Sequence, residues 1–199
     1  QNATRDIDVA RVMSEKWYAK HWFHSVPQGA QILREEVRAL ELMSSYSAVG
    51  QSGDEALRLA EQALNLSKQL KSAGDTTIAA SQDLVFSACA LADIKYALGR
   101  RLQSETTYAA CLKSAQTLWE SQPTPGARSI FVNALIDYGM ISRLDPTKVD
   151  EAIKLHERAV EMARSEQANA KLSNDDYLLL ANALVSYADT VNRAGGPLG

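Results

Sequence analysis

Glycine and proline are scarce in this 199-residue chain, at 10 and 5. Both fall below ordinary usage of about 7% and 5%, which disfavours sandwiches and barrels built from many short strands and turns. Cysteine occurs twice, too few for a disulfide framework. Cys89 and Cys111 sit in apolar, helix-compatible stretches and are expected as small buried thiols. No run approaches the roughly 18 uncharged apolar residues of a spanning helix, so no membrane insertion is expected. Charge of one sign is also lacking: 21 basic and 24 acidic residues leave a net −3. With no long like-charge block there is no electrostatic footprint for nucleic acid. Absent too are a Gly-rich phosphate loop, a G-x-S-x-G elbow and a paired-Cys metal motif. No catalytic residue, metal ligand or cofactor is therefore assigned, and the chain is read as non-enzymatic.

What the chain does have is alanine and leucine, which fill 53 positions. Both lead the helix scale, so the composition is that of an all-α protein. It is also periodic. Ala56, Leu57, Ala60 and Ala63 are followed 48 residues later by Ser104, Glu105, Tyr108 and Cys111. A further 48 on stand Ala152, Ile153, His156 and Ala159. Each set has the i, i+4, i+7 spacing that places its smaller members along one helical face. A second series runs between them. Leu84, Ala88, Leu91, Ala92, Asp93 and Gly99 match Leu180, Leu184, Tyr187, Ala188, Asp189 and Gly195 at twice that interval. Leu40, Met43 and Ser44 fit one period earlier, and Phe131, Leu135, Tyr138 and Gly139 fit with an offset of 47, one residue out of register.

The unit is thus a pair of antiparallel helices, A and B. Helices are expected over 5–24, 30–50, 53–71, 76–98, 101–120, 127–143, 147–165 and 174–194. They form a single domain over 1–199: an N-terminal helix, hairpins over 30–71, 76–120 and 127–165, a C-terminal capping helix, and a tail at 195–199. Gly99 and the glycines of the 49–54 connector read as helix stops, Asp54 as an N-cap, and Pro123 and Pro125 as the end of the helix that closes near Trp119. One hairpin cannot bury its own apolar face, so the stacked array is the stable unit. Because residue 1 is Gln, the chain is read as a processed product or a fragment of a larger protein.

The Leu91-Ala92 and Tyr138-Gly139 pairs, Gly99 before its turn, and the small–large–small sets of the B helices resemble the tetratricopeptide repeat family. The family's usual period is about 34, so these helices are longer by roughly two turns each. In that they are similar to long-helix repeats attached to bacterial signalling proteins, including serine/threonine kinases. The resemblance covers about residues 30–195. It implies a right-handed superhelical solenoid, and a non-catalytic protein–protein interaction module with the A helices lining a concave face. Carrying over the family's groove positions gives Arg38, Glu41 and Ser45 in the first pair, and Phe86, Cys89, Asp93 and Tyr96 in the second. The third adds Asn133, Ile136, Met140 and Arg143, with one position of slack, and the last helix Asn182, Val185, Asp189 and Asn192. The lysines by which some members clamp a C-terminal carboxylate have no counterpart here. Asp93 and Asp189 instead suit a basic residue on a protein or peptide ligand, unless they pair locally with Lys95 or Arg193.

Other features are read plainly. His21 and His24 form an H-x-x-H pair without a third ligand, hence no metal site. The aromatic segment 17–24 is expected to seal the first hairpin, with a partner contact as the sharper alternative. His156 is expected as a packed core histidine. The N-x-Ser/Thr matches at Asn2 and Asn65 fall at a chain end and mid-helix, so neither is read as a glycosylation site. The last helix is an A helix without its B partner. It is expected to act as a cap, with Asn174, Asp175, Asp176, Asn182, Ser186 and Asn192 supplying polar surface. A monomer follows, and the alternative is self-assembly by stacking through that helix. The sequence carries no address: a cytoplasmic location is the default expectation and an extracytoplasmic sensor the alternative.

Overall fold

Single residues mark where helices begin and end along this chain. Thr77 caps the helix that follows it, its hydroxyl accepting from the Ala80 N–H at 3.2 Å, and Thr124 does the same for Ala127 at 3.2 Å. Pro125 then occupies the first turn, where its missing N–H costs nothing. Ser173 and Asp176 form a reciprocal capping box. Gly99 closes a helix in the left-handed region at φ 71°, with Gly99 N–H on Tyr96 O and Arg100 N–H on Lys95 O, both 2.9 Å. That is the Schellman pattern, which a residue with a Cβ adopts only at a cost.

The computed structural model describes residues 26–49, 52–72, 77–164 and 173–195. Among them lie seven α-helices and no strand: α1 Val26–Val49, α2 Gly53–Ser72, α3 Ile78–Ala97, α4 Arg101–Ser121, α5 Pro125–Ser142, α6 Val149–Arg164 and α7 Asn174–Arg193. A 3-10 turn, Pro146–Lys148, precedes α6. The expected 5–24 helix, with His21, His24 and the aromatic segment, lies outside the described residues, as does Gly50. Asp54 is not the cap expected of it. The helix starts one residue earlier, with Ser52 O accepting from Ala56 N–H at 2.9 Å, and Asp54 stands in the first turn beside Glu55, where acids still favour the helix dipole.

α1–α2, α3–α4 and α5–α6 pack as hairpins, each stacks on the next, and α7 closes the described array. This is an all-α solenoid. Its 48-residue period is written in the core: Ala56, Ser104 and Ala152 are buried, as are Ala60, Tyr108 and His156, then Ala63, Cys111 and Ala159, then Ser67, Ala115 and Ala163. Small residues let the hairpin helices approach until side chains bond the opposite backbone. Ser44 Oγ donates to Ala56 O at 3.0 Å in the first hairpin, and one period later Ser104 Oγ donates to Ala92 O at 2.8 Å from the other side. In the third hairpin that place on the A helix is Gly139, against which the His156 ring packs; a Cβ there would lie 2.4 Å from His156 Nε2. His156 is fully buried, as expected, with Nε2 3.1 Å from Ile136 O. Burial lowers its pKa, so the ring is held neutral.

The cysteines depart from expectation. Cys89 and Cys111 are joined by a disulfide between α3 and α4, Cα to Cα 5.4 Å. The reason is hairpin geometry. They stand eleven residues either side of position 100 in the turn, and residues equidistant from a helical hairpin's turn face one another.

Neighbouring A helices touch (α1 on α3, α5 on α7, α3 on α5 more sparsely), whereas neighbouring B helices hardly meet. The layer whose members sit closer is the inner, concave one, so the A helices line the groove. Of them, α5 is out of register by one residue. Only three residues, 122–124, connect α4 to α5, and six, including the 3-10 turn, connect α5 to α6. The position lost before α5 is recovered after it.

Candidate functional site

An open cavity of about 600 Å³ lies on the A layer, where α3 and α5 make few contacts and α1 forms the far rim. α1 contributes Arg38, Glu41 and Leu42; α3 contributes Val85, Phe86, Cys89, Ala90 and Asp93; α5 contributes Ile130, Asn133, Ala134 and Asp137. The i, i+3, i+4, i+7 spacing within each helix is what turns these side chains to one face. Leu42 and Phe86 are exposed at 58% and 50%. The wall is therefore apolar and accessible, with carboxylates set into it.

Each carboxylate has a different environment. Glu41 accepts from Ser87 Oγ at 2.6 Å, and Ser87 shares a second bond with Ser67 at 2.9 Å. Loss of water raises the Glu41 pKa, the Ser87 bond opposes this, Asp83 adds to it and Arg38 offsets it. Asp93 accepts from the hydroxyl of Tyr108 across the α3–α4 hairpin. Its pKa is also raised by desolvation, with Tyr108 opposing. A group in a concavity can touch water on one side while protein displaces it on the others, which is why an exposed Asp93 still feels this effect. Tyr108, buried and bonded to Asp93, has its own pKa raised and remains a neutral donor. Asp137 is half-buried with no hydrogen bond or ion pair to any described residue. Burial first, then the Asp93 charge, pushes its carboxyl up to about 6. Arg38, the cation on the rim, is held by Glu35 at 2.9 Å on the exposed side of α1.

The expected groove residues do not share one fate. Arg38, Glu41, Phe86, Cys89, Asp93 and Asn133 converge on the cavity. Tyr96 and Met140, 43% and 40% exposed, lie on the same helices beyond it. Arg143 and Asp189 do not present free charge: Arg143 donates to Asp189, and Arg193 Nε holds the same carboxylate at 3.0 Å. Those two partners lower the Asp189 pKa, Arg193 more than Arg143. The local pairing weighed for Asp189 thus exists, whereas Lys95 leaves Asp93 alone and donates to Thr107 Oγ1 at 3.0 Å. Asn182 and Asn192 lie on α7, away from the cavity. The side chain of Ser45 lies outside the described residues. Ile136 is a correction: it is buried, and its carbonyl faces His156, because the groove row on α5 steps from Asn133 to Asp137, as it steps from Phe86 to Ala90 on α3. The sequence signal for Asp137 was its i+4 spacing from Asn133.

Among the described residues no group of three or more His, Cys, Asp or Glu is arranged to hold a metal, and no helix is long and apolar enough to cross a membrane. α7 keeps a broad apolar stripe in the open: Tyr177 58%, Leu178 61% and Val185 69% exposed. No family model matches the chain, and no curated protein matches it. Among solved structures it is similar to a de novo designed helical repeat protein, with a TM-score of 0.54 and 18% identity, over 98% of this chain and 94% of that one. At that identity the likeness bears on the fold alone, and on the fold it agrees with the internal period: the chain is a helical repeat protein.

Proposed function

We propose that this chain is a non-catalytic protein–protein interaction module that holds a peptide or a segment of a partner on its concave face. The observation that carries the reading is the open cavity on the A layer, with Phe86 and Leu42 exposed beside carboxylates that the fold does not fully use. Large exposed apolar side chains beside unspent polar groups are what a recognition groove needs. A second recess, around Lys71, Ser81 and Lys113, is less than half that size at about 250 Å³. The resemblance of the Leu91-Ala92, Gly99 and Tyr138-Gly139 positions to tetratricopeptide repeats supports the same use. It also suggests that the module is a scaffold or sensor region of a larger signalling protein, such as a bacterial serine/threonine kinase. The test is a binding comparison between the wild-type chain and a Phe86→Glu/Asn133→Lys variant. Both positions are solvent-facing and make no bond to a described residue, so circular dichroism should be unchanged. Proteins retained by the first and lost by the second support the groove; identical recovery by both refutes it. Asp93→Lys and Asp189→Lys are poorer probes, since each would also strip a partner from Tyr108 or Arg143.

A second reading has its own observation. The apolar stripe on α7 occupies the face that, on α3, is covered by α4, since Ala181, Leu184 and Ala188 correspond to buried Val85, Ala88 and Ala92. End-to-end self-assembly through α7 would cover it. Mass in solution that rises with concentration in the wild type, and not in Leu178→Glu/Val185→Glu, would select this reading; a monomer at all concentrations would discard it.

A further inference from the structure

The chemistry of the ligand can be narrowed from the cavity itself, provided that the groove reading holds, since the inference rests on it. Three carboxylates, Glu41, Asp93 and Asp137, face the recess against one guanidinium, Arg38, which Glu35 already holds from outside. Asp137 has no partner among the described residues, and Asp93 is bonded only to a neutral hydroxyl. A carboxylate half-buried without a cation is unfavourable to the free protein, and elsewhere the fold avoids it: Asp83 has Arg34, Asp176 has Arg128, Asp189 has Arg143. Each of those pairs bridges neighbouring A helices. At the recess between α3 and α5, Asp93 and Asp137 meet no such arginine among the described residues.

We infer that the bound peptide supplies it: an arginine or lysine side chain enters the recess, its charged end between Asp93 and Asp137 and its aliphatic stem against Phe86. A bare metal ion does not fit the same facts, since no three ligands converge among the described residues and the recess, at about 600 Å³, is the size of a side chain or larger. Exposed Tyr96 and Met140 continue the apolar surface past the recess on α3 and α5, which favours an extended polypeptide over a small free amine.

The experiment is selection from a peptide library with every position randomised, displayed on the surface of phage, against the folded 199-residue chain. Winners are resynthesised with the basic residue replaced by Gln, and measured on wild type, Asp137→Asn, Asp93→Asn and Phe86→Glu. The expected result is enrichment of Arg or Lys at one position. Affinity should then fall about tenfold or more on Arg→Gln or on Asp137→Asn, the scale of one charge-assisted pair. Asp137→Asn touches no internal hydrogen bond and so keeps the test independent of folding. Winners without a basic residue that still lose binding with Phe86→Glu would overturn the basic anchor while leaving the groove in place. Winners indifferent to Phe86→Glu and Asp137→Asn alike, or none at all, would overturn both. Free spermidine competing as well as the peptide's own basic residue would overturn the polypeptide ligand.

Discussion

Removing the Asp137 charge should make this protein more stable at neutral pH and no more stable in acid. The carboxyl stands at about 6 in the folded chain against an ordinary 3.8. A raised acid pKa means that the folded state holds its proton more tightly than the unfolded one. Between those values stability falls as pH rises, and above the higher one the penalty is complete. Two pH units at about 1.4 kcal/mol each give roughly 3 kcal/mol. The recess is open to water, which reduces this to about 1–2 kcal/mol. Asn is close to isosteric and breaks no bond, so Asp137→Asn should gain that amount near pH 7.5 and almost nothing near pH 4. Urea denaturation followed by helical circular dichroism, at both pH values and with m unchanged, measures it. A gain of equal size at both pH values, or a loss at neutral pH, would refute the reasoning: the first would mean no titration difference, the second a favourable contact for the charge.

Other changes test the packing. Gly139→Ala should destabilise by about 1–3 kcal/mol through overpacking, since its Cβ would meet the His156 ring at 2.4 Å. His156→Ala should partly rescue it in a double-mutant thermal-melt cycle, and additivity would sink the claim. His156 itself predicts acid sensitivity of the opposite sign to Asp137. Its folded pKa is lowered by burial, so its contribution is whole above about pH 6.5 and is lost as pH falls below that value until the folded ring protonates. The two windows overlap, so the His156 part is read from the pH profile of Asp137→Asn. Reducing the Cys89–Cys111 bond, which closes a separation of 22 residues, should lower stability by up to about 3 kcal/mol; a melting temperature unmoved by dithiol, with both thiols verified free, would contradict it.

The helical array was legible because its signals are local and repeated. Ala56, Ser104 and Ala152 declare a period of 48 whatever they pack against, and Gly99, Pro123 and Pro125 set boundaries that the structure keeps to within one or two residues. The site was half legible. Phe86, Asp93 and Asn133 follow from the groove positions that the resemblance to tetratricopeptide repeats implies, and the structure places all three at the recess. Arg143 and Asp189 meet each other instead of a ligand, and a sequence does not say which acid meets which base 46 residues away. The disulfide was missed by treating each cysteine on its own helix; counting both from the turn at Gly99 and Arg100 would have paired them. Ile136 stands in the core because the groove row on α5 steps four residues, from Asn133 to Asp137, where a step of three is equally compatible with the helical period; one position turns a helix face by about 100°, enough to exchange a core residue for a groove residue.

The recess falls at the step of the array where neighbouring A helices make the least contact. Where α1 meets α3 and α5 meets α7, neighbouring A helices touch, and Arg34–Asp83 and Arg143–Asp189 tie them. Between α3 and α5 the short 122–124 connector sets α5 one residue off, and contact is sparse. Asp137, Asn133 and Phe86 are available because α3 and α5 make few contacts beside the recess. Filling the recess from within, by Ala90→Arg on α3, should set a guanidinium beside Asp93 and Asp137 and take the space that the peptide's basic residue would occupy. The substitution predicts a chain that is still helical but has lost its recess, measurable as loss of peptide binding with unchanged circular dichroism. Binding that survived it would mean that the peptide's basic residue does not enter between Asp93 and Asp137.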